Sequence, residues 1–328
     1  MDDPLIYTRA IHFAATIAAV GAIFFSSFIA EPAFSKAGAG ARSPTVLRAQ
    51  FAWLAWAGLV VAVLSGAVWF VLVAQSMSDS SFAGVFSEGA LWTVLLKTGF
   101  GRAWLARLIL ACLLAAVLAV SFQRRGKGPL ADIFAVVLGG SFVGTLAFAG
   151  HAVGTPGFGG VLHPVADFAH LVAAVGWVGM LLPLALFLAA AARDKALAGT
   201  AYAVAKRFSN VSLVTVGVLL VTGSVNALYL AGSIFAITET DYGRLLLIKV
   251  ALFLLMVAIA AVNWQVWTPR LIQDGSAASS REALGRIRRN AAIEAGLGAV
   301  IIVIVAVLGI TPPGLHQQAM REIQHHAH

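Results

Sequence analysis

Eight long apolar runs constrain this chain more than any other feature. They fall at about 5-30, 50-74, 103-122, 130-151, 165-191, 208-231, 244-267 and 290-310. Crossing a hydrocarbon core of roughly 30 Å takes about 20 residues of helix, and each run supplies that length. An unpaired backbone amide is costly in lipid, so runs this long and continuous close their hydrogen bonds internally, as helices. Barrel strands would be shorter and would alternate in polarity. Composition agrees, because 60% hydrophobic against 11% charged residues excludes an ordinary soluble domain. The expected fold is an all-α integral membrane protein with eight transmembrane helices.

Lys and Arg set the expected orientation. Most of the 22 basic residues sit in the odd-numbered loops: Lys36, Arg42 and Arg48; Arg124, Arg125 and Lys127; Arg193, Lys195, Lys206 and Arg207; and Arg270, Arg281, Arg286, Arg288 and Arg289. The positive-inside rule places those loops in the cytoplasm and both termini on the periplasmic side. The net charge of +8 therefore reports topology, and no nucleic-acid partner is implied. The N-terminal flank Met1-Asp2-Asp3-Pro4 is not basic and its run is too long for a signal core, so a retained helix is expected. With no organelle-type presequence, the expected home is a bacterial inner (plasma) membrane. Cys112 stands alone, which excludes a disulfide framework and a CxxC metal relay.

The chain also matches itself. A shift of 158 aligns His12 with His170, Val20 with Val178 and Gly21 with Gly179. A shift of 157 lays Leu64-Ser65-Gly66 over Val221-Thr222-Gly223, and Phe100-Gly101-Arg102 through Arg107 matches Tyr242-Gly243-Arg244 through Lys249. Each unit has four helices, so the two repeats are expected to run parallel, about an axis along the membrane normal. The expected divisions are 1-128 (helices 1-3 of the first repeat), 129-160 (helix 4 and a histidine-containing outer loop), 161-313 (the second repeat) and 314-328 (a His-rich tail).

Polar residues gather at the outer end. His12 and His170 hold matching depths, roughly 10 Å inside their helices. His151 closes the fourth helix on the same side, while His163, Asp167 and His170 follow at i, i+4 and i+7, one face of a helix. Imidazole suits copper and zinc, and a carboxylate serves as ligand or orients a histidine. The expected metal residues are therefore His12, His151, His170, His163 and Asp167. Taken alone, His12 reads equally well as an interhelical hydrogen-bonding residue, and His163, beside Pro164 in a Gly-rich stretch, as a solvated turn residue.

Secondary candidates surround this set. Met77 and Met180 offer soft sulfur for Cu(I), with core packing the favoured reading. Arg9 aligns with Asp167 and is expected to pair with it or tune the histidines, and reads equally well as a plain interfacial anchor. Lys249 and Arg107 are expected to snorkel to the outer interface. The stretch 80-100 reads as an outer interfacial helix. The inner half shows only the scattered Glu31, Cys112, Met256 and Glu294, and His316, Met320, His325, His326 and His328 read as a solvated tail.

Several motifs together resemble the copper resistance protein D (CopD) family of bacterial inner-membrane proteins. They are Gly150-His151-Ala152, Asp167-Phe-Ala-His170 with Gly176-Trp177-Val178-Gly179, Tyr242-Gly243-Arg244 to Lys249, Asn263 leading into Thr268-Pro269-Arg270, and Leu308-Gly309-Ile310-Thr311-Pro312-Pro313. The resemblance implies copper handling, usually import, with copper as Cu(I) or Cu(II) and a separate periplasmic CopC-like copper binder as donor. No P-loop or phosphorylatable Asp-Lys-Thr-Gly is present to drive transport by ATP. The alternative is a haem b protein, an oxidoreductase using the same histidines as axial ligands. The favoured reading is not an enzyme.

Overall fold

The computed structural model describes residues 3–36, 43–78, 81–87, 89–123, 129–149, 159–272, 277–315 and 317. Among the described residues, eight helices are long and apolar enough to cross a membrane: α1 (Pro4–Ser35), α2 (Pro44–Ser78), α3 (Gly99–Ser121), α4 (Leu130–Ala149), α5 (Gly159–Ala191), α6 (Ala201–Ala231), α7 (Asp241–Arg270) and α8 (Ala278–Leu308). All eight expected runs are present as helices. Several extend well past the apolar segment, α8 by about three turns that carry Arg281, Arg286, Arg288 and Arg289.

Burial ranks the helices. The apolar windows of α1 and α5 are 72% and 61% buried, whereas those of the other six range from 6% to 39%. The equivalent helices of the two halves thus form the inner pair, and the rest sheathe them with side chains such as Leu64, Val221 and Leu254 turned outward. The inner pair crosses at the glycines that the sequence shift aligns. A Cβ on Gly21 would lie 2.1 Å from the carbonyl oxygen of Gly179, so neither position has room for a side chain.

Three prolines shape the helices. Widened π turns occupy Phe25–Ala30, Val175–Gly179 and Asn263–Trp267. Each contains the residue four before a proline: Phe28 before Pro32, Gly179 before Pro183, and Gln265 before Pro269. Proline has no N–H for that carbonyl and its ring crowds it, so the backbone relaxes into the wider turn. The helix after each π turn is re-aimed without being broken.

The repeated aromatic-Gly-Arg motif has a local cause. Thr98 and Thr240 cap α3 and α7, each accepting from the amide of the motif glycine, Gly101 at 2.9 Å and Gly243 at 3.0 Å. Each threonine hydroxyl also donates back to the preceding short helix, at Val94 and Ala236. A Cβ on Gly101 or Gly243 would run into the carbonyls of that helix. The stretch 80-100 is two short helices, Phe82–Ser87 and Ala90–Lys97, rather than one. In the second half, Ile234–Glu239 occupies the corresponding place before α7.

Candidate functional site

A cavity of about 240 Å³ opens between α1 and α4 of the first half and the four helices of the second, near Arg9 and Leu308. The i, i+4, i+7 face of α5 lines it with His163, Asp167 and His170. Opposite them stand Arg9 from α1, Asn226 from α6, and Tyr242 and Lys249 from α7.

Two substitutions between the halves mark the cavity lining. In the first half the corresponding space is filled by the indoles of Trp69 and Trp104, whose ring centres lie 5.4 and 5.5 Å from that of His12. The sequence shifts that align Gly66 with Gly223 and Gly101 with Gly243 place Asn226 opposite Trp69 and Leu246 opposite Trp104. Both replacements are smaller, and Asn226 and Leu246 line the cavity.

The two aligned histidines begin with the same bond and end differently. Ser65 Oγ donates to the Val61 carbonyl at 2.6 Å, so it accepts from His12 Nδ1–H at 3.2 Å. Thr222 Oγ1 donates to the Val218 carbonyl at 2.7 Å and accepts from His170 Nδ1–H at 3.0 Å. The tautomer follows from these donor assignments: both imidazoles carry the hydrogen on Nδ1, leaving a lone pair on Nε2. Gly66 and Gly223 let the rings lie close, since a Cβ there would sit 3.1 and 3.3 Å from the respective imidazole carbon.

Nε2 separates them. Arg107 donates to His12 Nε2 at 2.9 Å, to the Phe142 carbonyl at 2.6 Å and to Thr145 Oγ1 at 2.9 Å. Both nitrogens of His12 are thereby engaged, and the ring is closed in and does not line the cavity. At His170 the place of Arg107 is taken by Lys249, close enough to act electrostatically on both His170 and Asp167. Among the described residues nothing bonds to His170 Nε2, in a ring that borders the cavity.

The remaining predicted residues are placed as follows. His163 is helical and 1% exposed, stacked on Tyr229 with ring centres 5.0 Å apart, rather than a solvated turn residue. Asp167 accepts from Asn226 Nδ2 at 3.1 Å. The Arg9 guanidinium lies 4.7 Å over Trp69 and packs against Gly309. Arg107 and Lys249 do not snorkel: one is fully buried and the other lines the cavity. Met180 is buried in the core and Met77 is 55% exposed, and neither lines the cavity. His151, His316, Met320, His325, His326 and His328 lie outside the described residues. Among the described residues no three His, Cys, Asp or Glu side chains gather as a ready metal site.

The alignment of Ser65 with Thr222 marks the residues that orient the histidines, but nothing in the sequence assigns them a role. Hydroxyls on an apolar helix ordinarily bond back to their own turn. Here that bond frees the oxygen to accept from a neighbouring helix.

Comparison with known proteins gives the family. Residues 1–161 match the family described as copper resistance protein D-like, N-terminal domain, and residues 202–308 the family described as copper resistance protein D. The chain is 31% identical to copper resistance protein D of Pseudomonas syringae pv. tomato, over 85% of this chain and 89% of that one. It is also 31% identical to inner membrane protein YebZ of Escherichia coli K12, over 75% and 82%. With copper transport protein CutJ of Bacillus subtilis 168 it shares 31% identity over 62% of this chain and 38% of the relative. No solved structure matches. With eight membrane-crossing helices and similarity along most of its length to these proteins, the chain is a multi-pass inner-membrane protein of the copper resistance protein D family.

Proposed function

We propose that this protein imports copper, or delivers it, across or at the inner membrane, with the cavity around His170 as its outer loading station. The observation that carries this reading is the His170 lone pair. Thr222 fixes the tautomer and leaves Nε2 unprotonated in a ring that lines the cavity, and orienting the ring in this way is the role a hydrogen-bonded partner plays for metal-ligating histidines. His163 and Asp167 share the helix face, and His151, which lies outside the described residues, is retained from the sequence reading as a further candidate imidazole. His12 has no nitrogen to offer once Arg107 and Ser65 are counted, so its role in this reading is to hold the first half together.

The cavity's charge bears on the mode of action. Arg9 and Lys249 outweigh Asp167, so a bare copper ion meets opposition here. Such a lining suits brief occupancy on a path better than storage. A separate periplasmic CopC-like binder would hand the ion over, and no catalytic step is assigned.

The test is metal analysis with uptake into proteoliposomes. Copper should bind the purified protein and enter vesicles faster than into empty ones, and His170→Ala should abolish both. Binding without faster entry would reduce the function to delivery. A Soret band with no stoichiometric copper would replace this reading with the haem alternative.

A further inference from the structure

A second, smaller cavity of about 140 Å³ lies toward the opposite end of the bundle, between α5, α6, α7 and α8. Its floor is polar. Glu294 of α8 is 1% exposed and Ser212 of α6 is 5% exposed, and Thr268 and Asn263 of α7 complete the oxygen-bearing wall. Asn263 opens the π turn set by Pro269, and its amide donates to Glu294 Oε1 at 3.1 Å while its carbonyl oxygen accepts from Asn290 at 2.8 Å. One side of the carboxyl is thus fixed by a chain of two amides.

The other side is not. Glu294 Oε2 and Ser212 Oγ are both buried and make no hydrogen bond of ordinary geometry among the described residues, and the indole N–H of Trp177, likewise buried without a bond of ordinary geometry, is a neutral neighbour of the Glu294 carboxyl that leaves its charge uncompensated. An unsatisfied carboxylate oxygen in a membrane bundle costs several kcal/mol unless something neutralises it. No other ionisable side chain lines this cavity. The other acidic candidates of this half and the sulfur groups are accounted for elsewhere: Glu31 makes a two-bond ion pair with Arg48 at 2.8 and 2.9 Å, Cys112 is exposed, and Met256 is packed in the core.

We propose that this cavity is a binding site for one hard monovalent cation, a proton or Na⁺, with Glu294 as its charge and the Ser212 hydroxyl as a neutral oxygen donor. The charge count and the donor type carry the assignment. One carboxylate balances one positive charge, so a divalent ion would remain uncompensated. All-oxygen donors suit hard cations and not Cu(I). The volume is ample for an ion or hydronium with water, since a single water needs only about 10–15 Å³. Calling this cation a coupling ion rests on the copper reading above; the site itself does not.

The experiment uses the full chain purified into nanodiscs. Infrared difference spectra across a pH series should show a protonated-carboxyl band that titrates in the wild type and is absent from Glu294→Gln, if the ion is a proton. If it is Na⁺, adding Na⁺ in place of choline should raise the melting temperature saturably, an effect lost in Glu294→Gln and weakened about tenfold in apparent affinity by Ser212→Ala. A wild type with neither a titrating band assignable to Glu294 nor a Na⁺ response overturns the proposal, as does a Ser212→Ala variant that leaves the observed titration or Na⁺ response unaltered. Copper stoichiometry is measured on the same samples. Copper binding without a cation response sinks this inference alone, and a cation response without copper sinks the outer-cavity reading alone.

Discussion

His170 and His12 differ in what meets Nε2 and in what packs around the ring, and their variants should separate accordingly. His170→Ala should lose copper binding by metal analysis while melting close to wild type. His12→Ala should retain copper and melt several degrees lower, because it leaves Arg107 with an unsatisfied buried donor at a cost of about 1–3 kcal/mol. Lys249→Met should tighten copper binding about tenfold in a competition titration, since it removes a buried like charge for about 1.4 kcal/mol. A fall in affinity would show that Lys249 helps to hold the ion. At this scale the helical spacing of His163, Asp167 and His170 was enough to read a shared face. The sealing of His12 was not readable, because Arg107 arrives from 95 residues away and periodicity along one helix says nothing of its neighbour's donors.

Among the helices, the decisive contrast is between a half packed with indoles and a half left open. Asn226→Trp restores in α6 the residue that α2 has at Trp69. It should fill the cavity, abolish copper binding and leave the elution profile unchanged; undiminished binding would place the site elsewhere. The existence of all eight helices was legible because lipid leaves a long apolar run no other conformation. The start of α5 was not: Gly159, Gly160 and Pro164 are breakers in water, but in a membrane bundle neighbouring helices compensate for a proline, and the helix runs on through His163. The π turns share this character. Proline positions announce them, but only the packed bundle shows which helix they re-aim.

For the whole molecule, an even number of crossings puts both ends of the chain on one side, and the basic loops predict which side. A C-terminal alkaline phosphatase fusion should be active and a C-terminal green fluorescent protein fusion dark; the reverse would invert the assignment of outer and inner cavities together. The two halves meet where Gly21 touches Gly179, each at the position the other holds in its own repeat. A residue that contacts its own counterpart is what an isologous dimer shows on its twofold axis. Read as a repeat, the chain corresponds to two four-helix units that meet at these glycines, with indoles packed around the first histidine and a cavity beside the second. Cut in the segment 150–158 and produced as two separate polypeptides, the halves should still co-purify, and a methyl group on either glycine should be enough to part them.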